Sequence, residues 1–132
     1  MILVDTSVWI DHLRTGNPSL KEHLELGLVL THLWVSGELA CGNFANRQTV
    51  LRLLDQLPKC IVANEREVRG IIEADRLHGK GLGYVDVNHL ASTVLTPDAR
   101  LWTLDRRPRA AAKTMGLMAE MPLRPDASGV HA

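Results

Sequence analysis

The chain has 132 residues, 45% hydrophobic, 23% charged and 4% aromatic, the balance of one globular domain with a core of its own. Lys plus Arg and Asp plus Glu both number 15, which excludes a global attraction to nucleic acid or membrane and leaves only local patches for such contacts. No run approaches the ~18 apolar residues of a membrane span, and zero net charge gives a lone chain little protection against association, so a partner is expected.

Met1-Ile2-Leu3-Val4-Asp5-Thr6-Ser7 reads as a short buried strand that stops at a carboxylate and two hydroxyls. It is not the basic, apolar, small-residue start of a signal peptide. Thr6 or Ser7 is expected to cap a helix through Val8, Trp9, Ile10 and Leu13. A turn at Thr15-Gly16-Asn17-Pro18 leads to a second helix from Ser19 to Gly27, then a strand over Leu28-Val29-Leu30-Thr31. Ser36-Gly37-Glu38 opens another helical stretch, with Glu38 in its first turn, and the pattern Val50, Leu51, Leu53, Leu54, Leu57 makes a further helix closed by Pro58. Cys60-Ile61-Val62-Ala63 is a third, short strand. Asn64 with Glu67 three residues on is a capping box for a helix carrying Val68, Ile71 and Ile72.

The glycines of Gly79-Lys80-Gly81-Leu82-Gly83 match neither a P-loop nor a dinucleotide fingerprint, so the segment reads as a hinge-like loop. Asp86 opens an apolar helix through Leu90, Ala91, Val94 and Leu95. Arg100 to Leu104 is the fourth strand, ending at Asp105. Arg106 to Lys113 is a last helix, and Leu117-Met118-Ala119 a short edge strand. Residues 1–120 form the domain, and 121–132 a loosely ordered tail. Cys41 and Cys60 lack zinc spacing and read as free thiols in a reducing cytoplasm.

Strands alternating with helices imply an α/β fold, a mostly parallel sheet of four to five strands with helices on both faces. Right-handed crossovers place every strand's carboxyl end on one edge. Asp5, Glu38, Asp86 and Asp105 occupy equivalent positions near that edge and can converge. Two like charges about 5 Å apart at an effective dielectric of 20 repel by roughly 3 kcal/mol, so such a cluster calls for retained protons or a cation. Hard oxygen donors without His or Cys favour Mg²⁺ or Mn²⁺ over zinc. An ion so held is equipped to help cut a phosphodiester. Repulsion alone predicts that Asp5→Asn abolishes cleavage while the metal-free protein melts no lower. Thr103, two residues before Asp105, is a candidate to hydrogen-bond a metal water or Asp105, and Ser7 is a candidate for the same role beside Asp5. Arg106 and Arg107 could hold flanking phosphates of RNA. His89, three residues after Asp86, reads as a structural histidine, and Trp9, Trp34 and Trp102 as core.

The chain resembles the PIN-domain family, and within it the VapC-type toxins of bacterial toxin–antitoxin pairs. The resemblance lies in Met1 to Asp11, Ser36-Gly37-Glu38-Leu39-Ala40, Gly83-Tyr84-Val85-Asp86 and Leu101-Trp102-Thr103-Leu104-Asp105, in that order over about residues 1–120. It implies a three-layer α/β/α fold and a metal-dependent ribonuclease using Asp5, Glu38, Asp86 and Asp105 around Mg²⁺ or Mn²⁺. It also implies a homodimer, neutralised by a VapB-type antitoxin whose tail lies along an apolar groove and reaches the acids with a basic side chain. Asn88-His89 departs from the family's small or apolar pattern, and Pro108 blurs the start of the last helix. The alternative is a non-catalytic module whose acidic pocket receives a basic partner segment. A haloacid-dehalogenase-like phosphatase needs a second Asp where Ser7 stands.

Overall fold

Ile2, Leu3 and Val4 form β1 (Ile2–Val4), the middle strand of a parallel sheet whose order is β2-β1-β3. Its neighbours are β2 (Val29–Leu30) and β3 (Arg100–Trp102), with Leu3 opposite both Leu30 and Leu101 and Val4 opposite Trp102. Period-two alternation then sorts the side chains into two cores. Leu3, Leu30 and Leu101 pack with Val68, Leu77, Val87, Leu90, Ala91, Ala111 and Ala112. Val4, Val29 and Trp102 pack with Val8, Trp9, Leu20, Val35, Leu39 and Leu54. The first core belongs to α5 (Glu65–Ala74), α6 (Tyr84–Leu95) and α7 (Arg106–Thr114). The second belongs to α1 (Thr6–Thr15), α2 (Pro18–Glu25), α3 (Leu33–Ala40) and α4 (Arg47–Gln56). The three-layer α/β/α arrangement follows. This structure, a computed structural model, describes residues 1–121. Apart from Met121, which packs against the second core, the expected tail lies outside the described residues.

The sheet is smaller than the four to five strands expected. Cys60-Ile61-Val62-Ala63 forms no ladder, the one parallel bridge there joining Thr31 with Lys59 just before it, and Leu117-Met118-Ala119 contributes a single parallel bridge, Leu101 with Met118. The backbone donors of the first segment explain why it is no strand. Ile61 N donates to Thr96 Oγ1 at 2.9 Å and Ala63 N to Ser92 Oγ at 3.1 Å, so side chains of α6 and of the residue that ends it take bonds a sheet neighbour would have taken.

Helix starts also shift. Asp5 itself caps α1, accepting from Ser7 N, in place of Thr6 or Ser7. Asn17 caps α2 through Leu20 N with Pro18 just inside, one residue before the expected start. His32 caps α3, its Nδ1 accepting from Trp34 N at 3.0 Å, so the helix begins at Leu33 and Glu38 lies in its last turn, not its first. The capping box of α5 forms as read, with Asn64 Oδ1 accepting from Glu67 N at 2.8 Å and Glu67 Oε1 from Asn64 N at 2.9 Å. Pro108 is the third residue of α7, where a missing N–H costs no intrahelical bond.

Candidate active site

The parallel sheet delivers the carboxyl ends of β1 and β3 side by side, with Asp5 N donating to Trp102 O at 2.9 Å. Asp5 is 6% exposed and takes four hydrogen bonds. Its Oδ2 accepts from Ser7 N at 3.2 Å, Ser7 Oγ at 2.7 Å and Thr103 Oγ1 at 3.0 Å, and its Oδ1 accepts from His89 Nδ1 at 3.1 Å. The two hydroxyls also accept in turn, Ser7 Oγ from Leu104 N at 3.0 Å and Thr103 Oγ1 from Asp105 N at 3.1 Å. This small network stitches the end of β1 to the turn after β3. Burial pushes the Asp5 carboxyl up, but hydrogen bonds from His89 and Ser7 and the attraction of His89 outweigh it, and the net shift is downward. Asp5 is therefore held ionised.

The other three acids stand around it on different elements. Glu38 is exposed on α3, its Oε1 accepting from Thr6 Oγ1 at 2.7 Å. Asp86, in the first turn of α6, is half-buried and accepts from Gly83 N at 3.2 Å. Asp105 is exposed at the start of α7. The carboxyl of Asp86 is raised by burial and by the negative charges of Asp5 and Glu38, against a lowering bond from Gly83 and the nearness of His89. That of Asp105 is raised by burial and then by Asp5, Asp86 and Glu38. Asp86 and Asp105 thus each lie within electrostatic reach of the other acids of the set. Among the described residues, no three His, Cys, Asp or Glu side chains stand close enough to grip an ion together. The donor set is all oxygen and strongly negative, so its chemistry fits a hard divalent cation. A common grip requires the more exposed members to draw in.

The expected structural histidine is buried, and its contact is with Asp5 itself. Beside it lies His32, ring centroids 5.0 Å apart, whose Nε2 faces Ser92 Oγ at 3.1 Å. Burial and the neighbouring His89 depress the His32 pKa to about 4. Sequence reasoning missed His32. Its one signal is its place between a strand and an apolar helix, where it serves as a cap in a role usually filled by Ser, Thr, Asp or Asn.

Arg106 and Arg107 are exposed, and Arg107 Nη1 donates to Gly81 O at 3.4 Å. Gly81 has φ +75°, and a Cβ built there would stand 2.4 Å from the Arg107 guanidinium, so this close approach depends on glycine. Trp9 and Trp102 are core, as read, whereas Trp34 is only half-buried, its ring 5.8 Å from that of the exposed Tyr84. Two openings reach the acids. One, about 410 Å³, is lined by Ser7, Ile10, Asp11, Arg14, Leu104 and Asp105. The other, about 210 Å³ and mostly apolar, is lined by Ile10, Leu13, Glu38, Leu39, Gly42 and Phe44.

No family model matches the chain. Among curated proteins it is similar to Ribonuclease VapC32 of Mycobacterium tuberculosis, from strain CDC 1551 / Oshkosh and from strain ATCC 25618 / H37Rv. Each is 45% identical over 117 residues, covering 89% of this chain and 94% of the relative.

Proposed function

Since the chain belongs to the VapC family of PIN-domain toxins, we propose that it is an endoribonuclease, the toxic half of a VapBC-type pair, that hydrolyses RNA phosphodiester bonds with Mg²⁺ or Mn²⁺. What supports this reading is that Asp5, Glu38, Asp86 and Asp105 come from four separate segments, and that the first two acids add their negative charge to both Asp86 and Asp105. Asp5 and Asp86 would be the main ion ligands, with Asp105 completing or supporting the set. When bound, a divalent ion offsets the charge of the phosphodiester and makes water a better nucleophile. Glu38, anchored through Oε1 by Thr6, keeps Oε2 to orient an attacking water and take its proton. Ser7 and Thr103 hold Asp5 in place. Arg106 and Arg107 hold the phosphates beside the cleaved bond.

Residues 1–120 would make up the nuclease domain. A VapB-type antitoxin has a landing place in the apolar opening between α1 and the end of α3, where Glu38 could receive a basic side chain. A second copy of the chain would find apolar surface in Leu33, Ile61 and Tyr84, exposed by 54%, 50% and 48%. No helix among the described residues is long and apolar enough to cross a membrane, and the protein would act in the cytoplasm.

One measurement separates this reading from the non-catalytic module. Purified protein is melted with and without Mg²⁺ or Mn²⁺ and then given RNA with and without a chelator. A nuclease is stabilised by the ion and stops cutting when it is removed. An unshifted melting temperature with no cleavage leaves only the module that receives a partner's basic segment.

A further inference from the structure

We propose that His89 is a positioning residue for ion binding, fixing the Asp5 carboxylate so that one Oδ1 lone pair alone remains open. This rests on the reading of Asp5 as an ion ligand. A carboxylate offers about four lone-pair sites. Three donors crowd Oδ2, namely Ser7 N, Ser7 Oγ and Thr103 Oγ1, and so saturate it. Oδ1 receives one donor, His89 Nδ1. An incoming cation therefore meets Oδ1, on the side the imidazole leaves free.

The cost of keeping a histidine there argues that it serves more than packing. His89 is 1% exposed, and its Nε2 has no hydrogen-bond partner among the described residues. An unpaired buried polar atom carries a desolvation penalty that a leucine of similar bulk avoids. The contact with Asp5 is what the histidine gains in exchange.

The neighbours lock the ring rather than competing for it. Trp34 N donates to His32 Nδ1, so the His32 proton sits on Nε2 and is directed to Ser92 Oγ. His32 is thereby fully engaged and offers His89 a ring edge instead of a hydrogen bond. His89 also lies three residues after Asp86 on α6, on the same helix face. Through it the helix that carries one acid sets the orientation of another.

The test compares variants that keep, move or remove the donor. Asn places an N–H where His Nδ1 was, Gln places one near the Nε2 position, and Leu places none. Mn²⁺ binding is measured by calorimetry on the metal-free full chain. His89→Gln and His89→Leu are expected to bind about tenfold more weakly or worse, and His89→Asn within about threefold of wild type. Cleavage lost in His89→Gln should return when Mn²⁺ is raised to saturation. If Gln binds Mn²⁺ as well as wild type, or Asn as poorly as Gln, the positioning role is overturned, and the Asn–Gln pair decides it even where Leu does not fold. If wild type itself binds no Mn²⁺, the ion-site reading fails first and takes this one with it.

Discussion

Asp5→Asn tests whether repulsion or hydrogen bonding governs the metal-free site. Crowding of like charge alone predicts a variant that melts no lower than wild type, but the donors around Asp5 reverse that sign. The side chain is 6% exposed and accepts from Ser7 N, Ser7 Oγ, Thr103 Oγ1 and His89 Nδ1. The hydroxyls can rotate to accept from an amide, but the backbone N–H of Ser7 cannot, and His89 can do so only by moving its proton to Nε2. Turned toward Ser7, the Asn NH₂ meets the Ser7 N–H; turned toward His89, it makes Nδ1 an acceptor and drives the imidazole proton onto the buried Nε2, which has no partner among the described residues. Losing one hydrogen bond to a charged group costs about 1.5–3 kcal/mol. Relief of repulsion returns about 1 kcal/mol, because Glu38 and Asp105 are exposed and screened by water. The net is a loss of about 0.5–2 kcal/mol, roughly 2–10 °C in melting temperature for a domain of this size. The downward shift of the Asp5 pKa from 3.8 agrees. A depressed folded pKa contributes stability that is present above 3.8 and lost as pH falls through the folded value, so the deficit of the variant is full at neutral pH and shrinks in acid. The assay is thermal melting in chelator at neutral pH, beside RNA cleavage in Mn²⁺, which should vanish. An Asp5→Asn protein that melts at or above wild type refutes the hydrogen-bond account.

Thr103→Val keeps the shape but removes both the bond to Asp5 and the acceptor for Asp105 N; a loss of about 1–3 kcal/mol should appear as a lower urea midpoint, and an unmoved midpoint counts against the network. His32 is held neutral, its folded pKa about 4 against 6.5 when unfolded. The unfolded chain therefore binds more protons in that window, and stability falls as pH drops from 6.5 toward 4. His32→Asn, which retains a capping acceptor, should flatten that acid limb in denaturation at a series of pH values, and an unchanged slope would show that His32 does not titrate there. Arg107→Ala should raise KM for RNA with kcat little changed and reduce the salt slope of binding by about 0.7, the share of one phosphate contact on a single strand; an unaltered slope removes Arg107 from the RNA surface.

Element order and the two-faced sheet were readable because apolar runs and caps alternate in the expected way. Asp5 was readable as an acid that ends an apolar strand, whereas Asp105, expected to end the fourth strand, stands beyond it, because β3 stops at Trp102 and Asp105 is the residue before α7. What was hidden depended on partners distant in sequence. Glu38 was assigned to the wrong turn because a histidine cap leaves little trace, and Ser36-Gly37 resembles a start more than His32 does. Cys60-Ala63 reads as a strand by composition, yet Ile61 is half exposed and its backbone bonds to Thr96, a hydroxyl on a helix that only folding brings near. His89 was visible on the face of Asp86, but its pairing with a residue 84 positions away follows from the packing of α6 against β1 and has no local signature.

The bare backbone at Gly81 beneath the Arg107 guanidinium ties two distant positions into one unit of inheritance. A lineage that acquires any side chain at 81 strains a left-handed residue and evicts the cation above it, while the scaffold itself survives because the tip of an arginine can swing aside. If Arg107 holds RNA as proposed, a change at that loop would surface as altered RNA grip in an otherwise intact protein.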